Sequence, residues 1–216
     1  MHLTHEGHSR KAHVLENTSR IEAFSDAIIA IAMTILILEV HVPQLSDTST
    51  ASVIQGLMEV LPHFLSFALS FVTLAVIWVN HHTFFHSLRG TDGALQWYNN
   101  NLMFWVCVIP FVTAFLGAHP FVPIVVALYG VVMALMAGAF SLMVHYVFFR
   151  TDLLPESISL RARTMEARRS LVGVSLYALS IPLALFAPTL SLILFAAVIL
   201  IYLLPNPFDT EESHDH

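Results

Sequence analysis

The chain has 216 residues, 56% of them hydrophobic and only 11% charged, with a mean hydropathy of +0.74 and a formal net charge of −6. A soluble domain carries about a quarter charged residues. Here the apolar residues form long blocks that leave no room for an aqueous domain, which excludes a water-soluble enzyme. The acidic balance speaks against nucleic-acid binding, and a single cysteine, Cys107, excludes an intramolecular disulfide and a Cys-cluster metal site.

Residues 1–19 form a polar, His-rich arm with no apolar h-region, so the first hydrophobic helix is expected to stay as an anchor and not to be cleaved. A hydrocarbon layer of about 30 Å takes about 20 helical residues to cross, and six such spans fill residues 20–204. The first runs from Arg20 to Val42 and stops at Pro43, and the second from Val53 to Asn80. A polar link with Arg89, Gly90, Asp92 and Gly93 leads to the third, Leu95 to Leu116. The fourth is Phe121 to Phe149. A charged segment, Arg150 to Arg169, precedes the fifth, Ser170 to Phe186, and the sixth is Thr189 to Leu204. Residues 205–216 form an acidic tail, read as disordered. The expected fold is thus all-α and polytopic, because helices satisfy their own backbone groups in hydrocarbon. The fifth and sixth spans are short and adjacent. Two crossings are preferred over one re-entrant hairpin.

All nine basic residues fall in the N-terminal arm, the second-to-third link or the fourth-to-fifth link. With six crossings these segments share one face, which the positive-inside rule makes cytoplasmic. Both termini are therefore placed in the cytoplasm. The basic helix-like stretch Arg161 to Arg169 reads first as an orientation signal at the headgroups, with a lipid-binding or regulatory role as the other reading.

The first span carries the unusual chemistry. Asp26 lies about two turns in, where a carboxylate facing lipid costs several kcal/mol, so it must face protein and have a partner. Arg20 points elsewhere, six residues away. The second span ends Trp78-Val79-Asn80-His81-His82, at the same depth as Ser25 and Asp26, and offers the donors for a polar lock between the two helices. The first helix then presents Phe24, Ile28, Ile31, Ile35 and Leu38, spaced 4, 3, 4 and 3, as a seam of bulky apolar residues. Such a seam serves packing or lipid contact more often than a pore. Around an axis, however, it becomes stacked apolar rings that exclude water and rank cations by how readily they shed hydration. Thr34 lies beside it. His82 and His86 have i, i+4 spacing but no third ligand, and no cofactor is expected. Cys107 reads as a small apolar filler. No Gly-x-Ser-x-Gly, Walker A or Gly-x-Gly-x-x-Gly pattern occurs, and neither does a Thr-Val-Gly-Tyr-Gly filter.

Arg20-x-x-x-Phe24-Ser25-Asp26 together with Trp78-x-Asn80-His81-His82 resembles the signature of the transmembrane protein 175 family of endolysosomal and prokaryotic potassium channels. The resemblance implies a channel without a pore-loop filter, its pore lined by the first helix of each six-helix repeat. A single-repeat chain resembles the prokaryotic form, a homotetramer in the plasma membrane of a prokaryote. Ile31, Ile35 and Leu38 then match the pore constriction, and Thr34, one turn beyond Ala30, matches the family's pore-helix threonine. Arg20, Phe24, Ser25, Asp26, Trp78, Asn80 and His81 match its signature packing network. The function implied is a leak-like, potassium-preferring cation channel in the lipid bilayer. The rival readings are a proton-coupled secondary transporter that uses Asp26 and His81, and a histidine-based membrane metalloenzyme.

Overall fold

A computed structural model describes residues 18–203, and each regular element among them is a helix. Most of the His-rich arm and the whole acidic tail, with His2, His5, His8, His13, His214 and His216, lie outside the described residues. The elements are α1 (Thr18–Leu36, extended by a 3-10 turn, Ile37–Glu39), α2 (Thr50–His86), α3 (Gly93–Ala118), α4 (Pro123–Arg150), α5 (Leu160–Phe186) and α6 (Pro188–Leu203). Local chemistry sets several of these starts. Ser49, Asp92 and Ser159 each accept a backbone N–H from three residues on, at 3.3, 2.7 and 3.1 Å. Pro123 and Pro188 stand first in their helices, where the missing N–H has no partner to lose.

Several boundaries differ from those expected, among them the second span, which runs from Thr50 to His86 and not from Val53 to Asn80. The first span ends at Glu39 and not at Val42, because Pro43 disfavours helical backbone at the residue before it and the chain is already extended at Val40. The fifth begins at Leu160 and not at Ser170. The stretch between Arg161 and Arg169 is rich in good helix formers, and Ser159 caps it, so the charged segment supplies the first turns of the helix itself. Cys107 is exposed on the outside of α3 and fills no core gap.

Among the described residues five helices are long and apolar enough to cross a membrane. The sixth, with 16 residues, spans about 24 Å. It runs back along α5 and does not curl at its base. Ser191 Oγ donates to the Ser180 carbonyl at 2.9 Å near the turn, and Tyr202 Oη donates to the Arg169 carbonyl at 2.7 Å near the far end.

α4 is the most enclosed helix, between α3 and α5, and its Met133, Met136, Met143, Val144 and Val147 form the middle of the core. Polar contacts tie the layers together. Thr113 Oγ1 donates to Ser70 Oγ at 2.7 Å and Ser70 bonds Tyr129 Oη at 3.0 Å, linking α3, α2 and α4. Ser141 and Ser170 join α4 to α5 at 3.0 Å. α1 packs on α2 and α3, whereas α5 packs on α4 and α6. The Arg89 N–H donates to the Leu153 carbonyl at 2.8 Å, so the two basic links meet at one end of the bundle.

Candidate functional site

The structure divides α1 into two faces. Ser25, Ile29, Ala32 and Leu36, spaced 4, 3 and 4, are buried against the bundle. On the far side Phe24, Ile31, Ile35 and Leu38 are 52%, 58%, 39% and 68% exposed, left largely uncovered by the other described residues. Thr34 shares this open side, and its hydroxyl donates to the Ile31 carbonyl at 2.8 Å. Ile28 departs from the expected seam: it sits at the edge and packs partly against the core.

Polar side chains hold this rotation. Trp78 Nε1 donates to Asp26 Oδ1 at 3.0 Å, tying α2 to α1. Asn99 of α3, which the sequence reading missed, is 1% exposed and stands at the centre of the second contact. Its Nδ2 donates to Ser25 Oγ at 2.9 Å, and its Oδ1 lies 2.8 Å from His81 Nε2. The pairing is satisfied when the imidazole carries its proton on Nε2, with the ring packed 4.5 Å from that of Phe85. Three helices thus meet at Ser25, His81 and Asn99. The lone signal for Asn99 was its 3.6-residue phase with Leu95, Leu102, Met103 and Val106, which places it on the buried face of α3.

Two expected members stand apart. Asn80 donates to the Val76 carbonyl of its own helix at 2.8 Å and lines a crevice toward α4, α5 and α6 with Phe140, Tyr177 and Tyr202. Successive helical residues diverge by about 100°, so Asn80 and His81 look in different directions. Arg20 is exposed and borders an open cleft with Phe24, Gln96, Asn99 and Asn100, without a hydrogen bond to any described residue. Asp26 and His81 each bond a different neighbour and share no hydrogen bond, which removes the direct pair a proton exchanger would use. The His82 and His86 rings stack at 6.1 Å on the outside of α2, and no group of three His, Cys, Asp or Glu able to hold a metal occurs among the described residues.

Apolar helices of membrane length, packed into one bundle, define a multi-pass helical membrane protein whose first helix has one face locked and the other left bare. Comparison with known proteins gives the family. Residues 20–110 match the family model described as endosomal/lysosomal potassium channel TMEM175. A protein of Chryseobacterium sp. (strain P1-3) named as a potassium channel is 32% identical over 187 residues, covering 87% of this chain and 93% of that one. The crystal structure of a lysosomal potassium-selective channel TMEM175 homolog from Chamaesiphon minutus superposes with a TM-score of 0.78 at 28% identity, over 88% of this chain and 98% of that one. The human protein named endosomal/lysosomal proton channel TMEM175 is 33% identical over 97 residues, 42% of this chain and 19% of that one. The chain belongs to the TMEM175 family, whose members are ion channels and not enzymes.

Proposed function

We propose that this chain is a potassium-preferring, leak-like cation channel, formed by four copies arranged with α1 around a central axis in the plasma membrane of a prokaryote. The observation that carries the reading is the bare apolar seam of α1, held in place from behind by the Trp78–Asp26 and Asn99-centred bonds. Apolar surface of this kind needs either lipid or a partner, and a fourfold arrangement gives it one. Relatives and a solved structure named as potassium channels support the ion assignment.

In this arrangement Ile31, Ile35 and Leu38 form successive rings, about 6 Å and then about 4.5 Å apart along the helix. No polar group in these rings replaces water around an ion. An ion passes according to the cost of shedding part of its hydration shell, which is larger for the smaller sodium ion than for potassium. Thr34 lies next to the Ile35 ring, with a hydroxyl oxygen able to accept from water at the edge of the dry zone. The basic residues gathered at one end support a cytoplasmic position for that end and for both termini.

Reconstitution into liposomes with opposed potassium and sodium gradients tests the reading. Ile31→Asn, which introduces an amide into the narrow zone, is expected to raise conductance and move the reversal potential toward that of a nonselective pore. Unchanged conductance and reversal potential in that variant overturn the assignment of the seam. A wild-type reversal potential that follows a proton gradient and ignores potassium overturns the choice of ion.

A further inference from the structure

The arginines at the start of α5 fall into two pairs with different surroundings. Arg163 is tied down locally, its Nε and Nη2 donating to the Ile158 and Pro155 carbonyls, each at 3.2 Å. Arg169 lies 5.2 Å from the centre of the Tyr202 ring and donates to the Tyr202 carbonyl at 3.3 Å, bracing α6. Arg161 and Arg168 do neither. Both are exposed, they make no hydrogen bond or ion pair with any described residue, and they border one open depression with Leu160, Thr164 and Met165. Seven residues apart, they share a helix face within about 20° and stand about 10 Å apart along the axis. The same face continues into the apolar part of the helix as exposed Val172 and Leu179, flanked by exposed Leu171.

We infer that this face is a binding site for an anionic glycerophospholipid: Arg168 holds the phosphate, Arg161 adds to the positive potential that favours a net negative lipid over a zwitterionic one, and the acyl chains lie along Leu171, Val172 and Leu179. Three features fix the occupant. The cationic groups stand immediately above the apolar stretch, which is the depth of the headgroups. Arginine offers a planar set of donors that matches phosphate oxygens, and its aliphatic stem covers apolar surface. Met165, 44% exposed, puts apolar surface between the two charges, and Leu160, 72% exposed, adds more at the rim of the depression, where a soluble anion gains nothing but a lipid does. The lipid-facing position of α5 rests on the α1-centred reading, since α5 packs on α4 and α6 on the side away from α1. The lipid contact itself is measured without ion flow.

Native mass spectrometry of the intact purified channel, titrated with phosphatidylglycerol or phosphatidylcholine, is the test. Wild type is expected to retain phosphatidylglycerol in preference to phosphatidylcholine. Each basic residue beside an anionic surface contributes about fivefold in affinity, so Arg168→Gln loses about fivefold and the Arg161→Gln, Arg168→Gln pair about twenty-five-fold. Lysine at both positions retains most of the preference. Arg89→Gln removes one exposed charge from the same end of the molecule and leaves the preference intact. Equal retention of the two lipids by wild type, an undiminished preference in the double variant, or an equal loss in Arg89→Gln overturns the site. Displacement of the lipid by millimolar inorganic phosphate shows that the arginines bind free phosphate and overturns the lipid assignment.

Discussion

Ser25, Asp26, Trp78 and His81 were legible as candidates because a polar side chain in a membrane helix has few places to go, and depth alone paired the two helices. Asn99 was not. It belongs to Asn99-Asn100-Asn101, where composition does not say which asparagine is buried, and only the helix phase singles it out. Asn80 shows the reverse problem: it shares the motif of His81 but takes the neighbouring direction and bonds its own helix. The structure makes Asn99 the shared partner of Ser25 and His81. Asn99→Leu removes both bonds and leaves two buried polar groups without a partner, at about 1–3 kcal/mol for each. Thermal unfolding of the detergent-solubilised channel is expected to shift down by several degrees, with a larger loss than for Ser25→Ala, which deletes one hydroxyl. Equal melting temperatures for Asn99→Leu and wild type would remove Asn99 from the account.

At the scale of elements, the apolar blocks announced each helix but not its ends. α5 reaches Leu160 because helix propensity and a serine cap act on a charged stretch as readily as on an apolar one. Hydropathy counts the lipid-facing part alone. Contact distances between helices were beyond sequence reasoning as well. Gly117 of α3 passes so close to α2 that an added Cβ would lie 2.7 Å from Ser66 Oγ and 3.0 Å from the His63 Cα. The second of these is backbone and cannot swing away. Gly138 of α4 has nothing within 4 Å of the same position. Gly117→Val is therefore expected to destabilise by about 1–3 kcal/mol through overpacking. Gly138→Ala should be neutral or stabilising by up to about 1 kcal/mol, since alanine is the better helix former. Paired melting curves check both, and a Gly117→Val protein as stable as wild type would show that α2 and α3 are less closely packed than described.

For the whole molecule, charge and packing point the same way. Among the described residues the arginines gather at the end where α1, α3 and α5 begin, and the opposite end carries Glu39, Asp47 and Glu59 with no lysine or arginine. There Ser49 holds the Asp47 carboxyl below its usual range through its hydrogen bonds, including a backbone N–H at 2.8 Å, which favours its charged form. In the proposed arrangement a cation approaching from that side meets favourable charge before it meets the seam. The expected topology is read from the basic residues, and the seam from its spacing. The sequence did not show that the seam is bare, since whether a stripe packs inside the protomer depends on where the other five helices lie. α1 packs on α2 and α3 by its other face, and this leaves Phe24, Ile31, Ile35 and Leu38 to lipid or, in the proposed tetramer, to the central axis.

Substituted-cysteine accessibility along α1 separates those two alternatives most directly. With Cys107 first changed to alanine, single cysteines are placed at positions 29, 31, 32, 35, 36 and 38 of the reconstituted channel, and potassium current is recorded during exposure to a charged methanethiosulfonate reagent. Positions 31, 35 and 38 are expected to react and to lose current, while 29, 32 and 36, buried against the bundle, stay silent. Reaction confined to the second set, or full current with no reaction at 31, 35 and 38, would contradict a pore lined by the first helix.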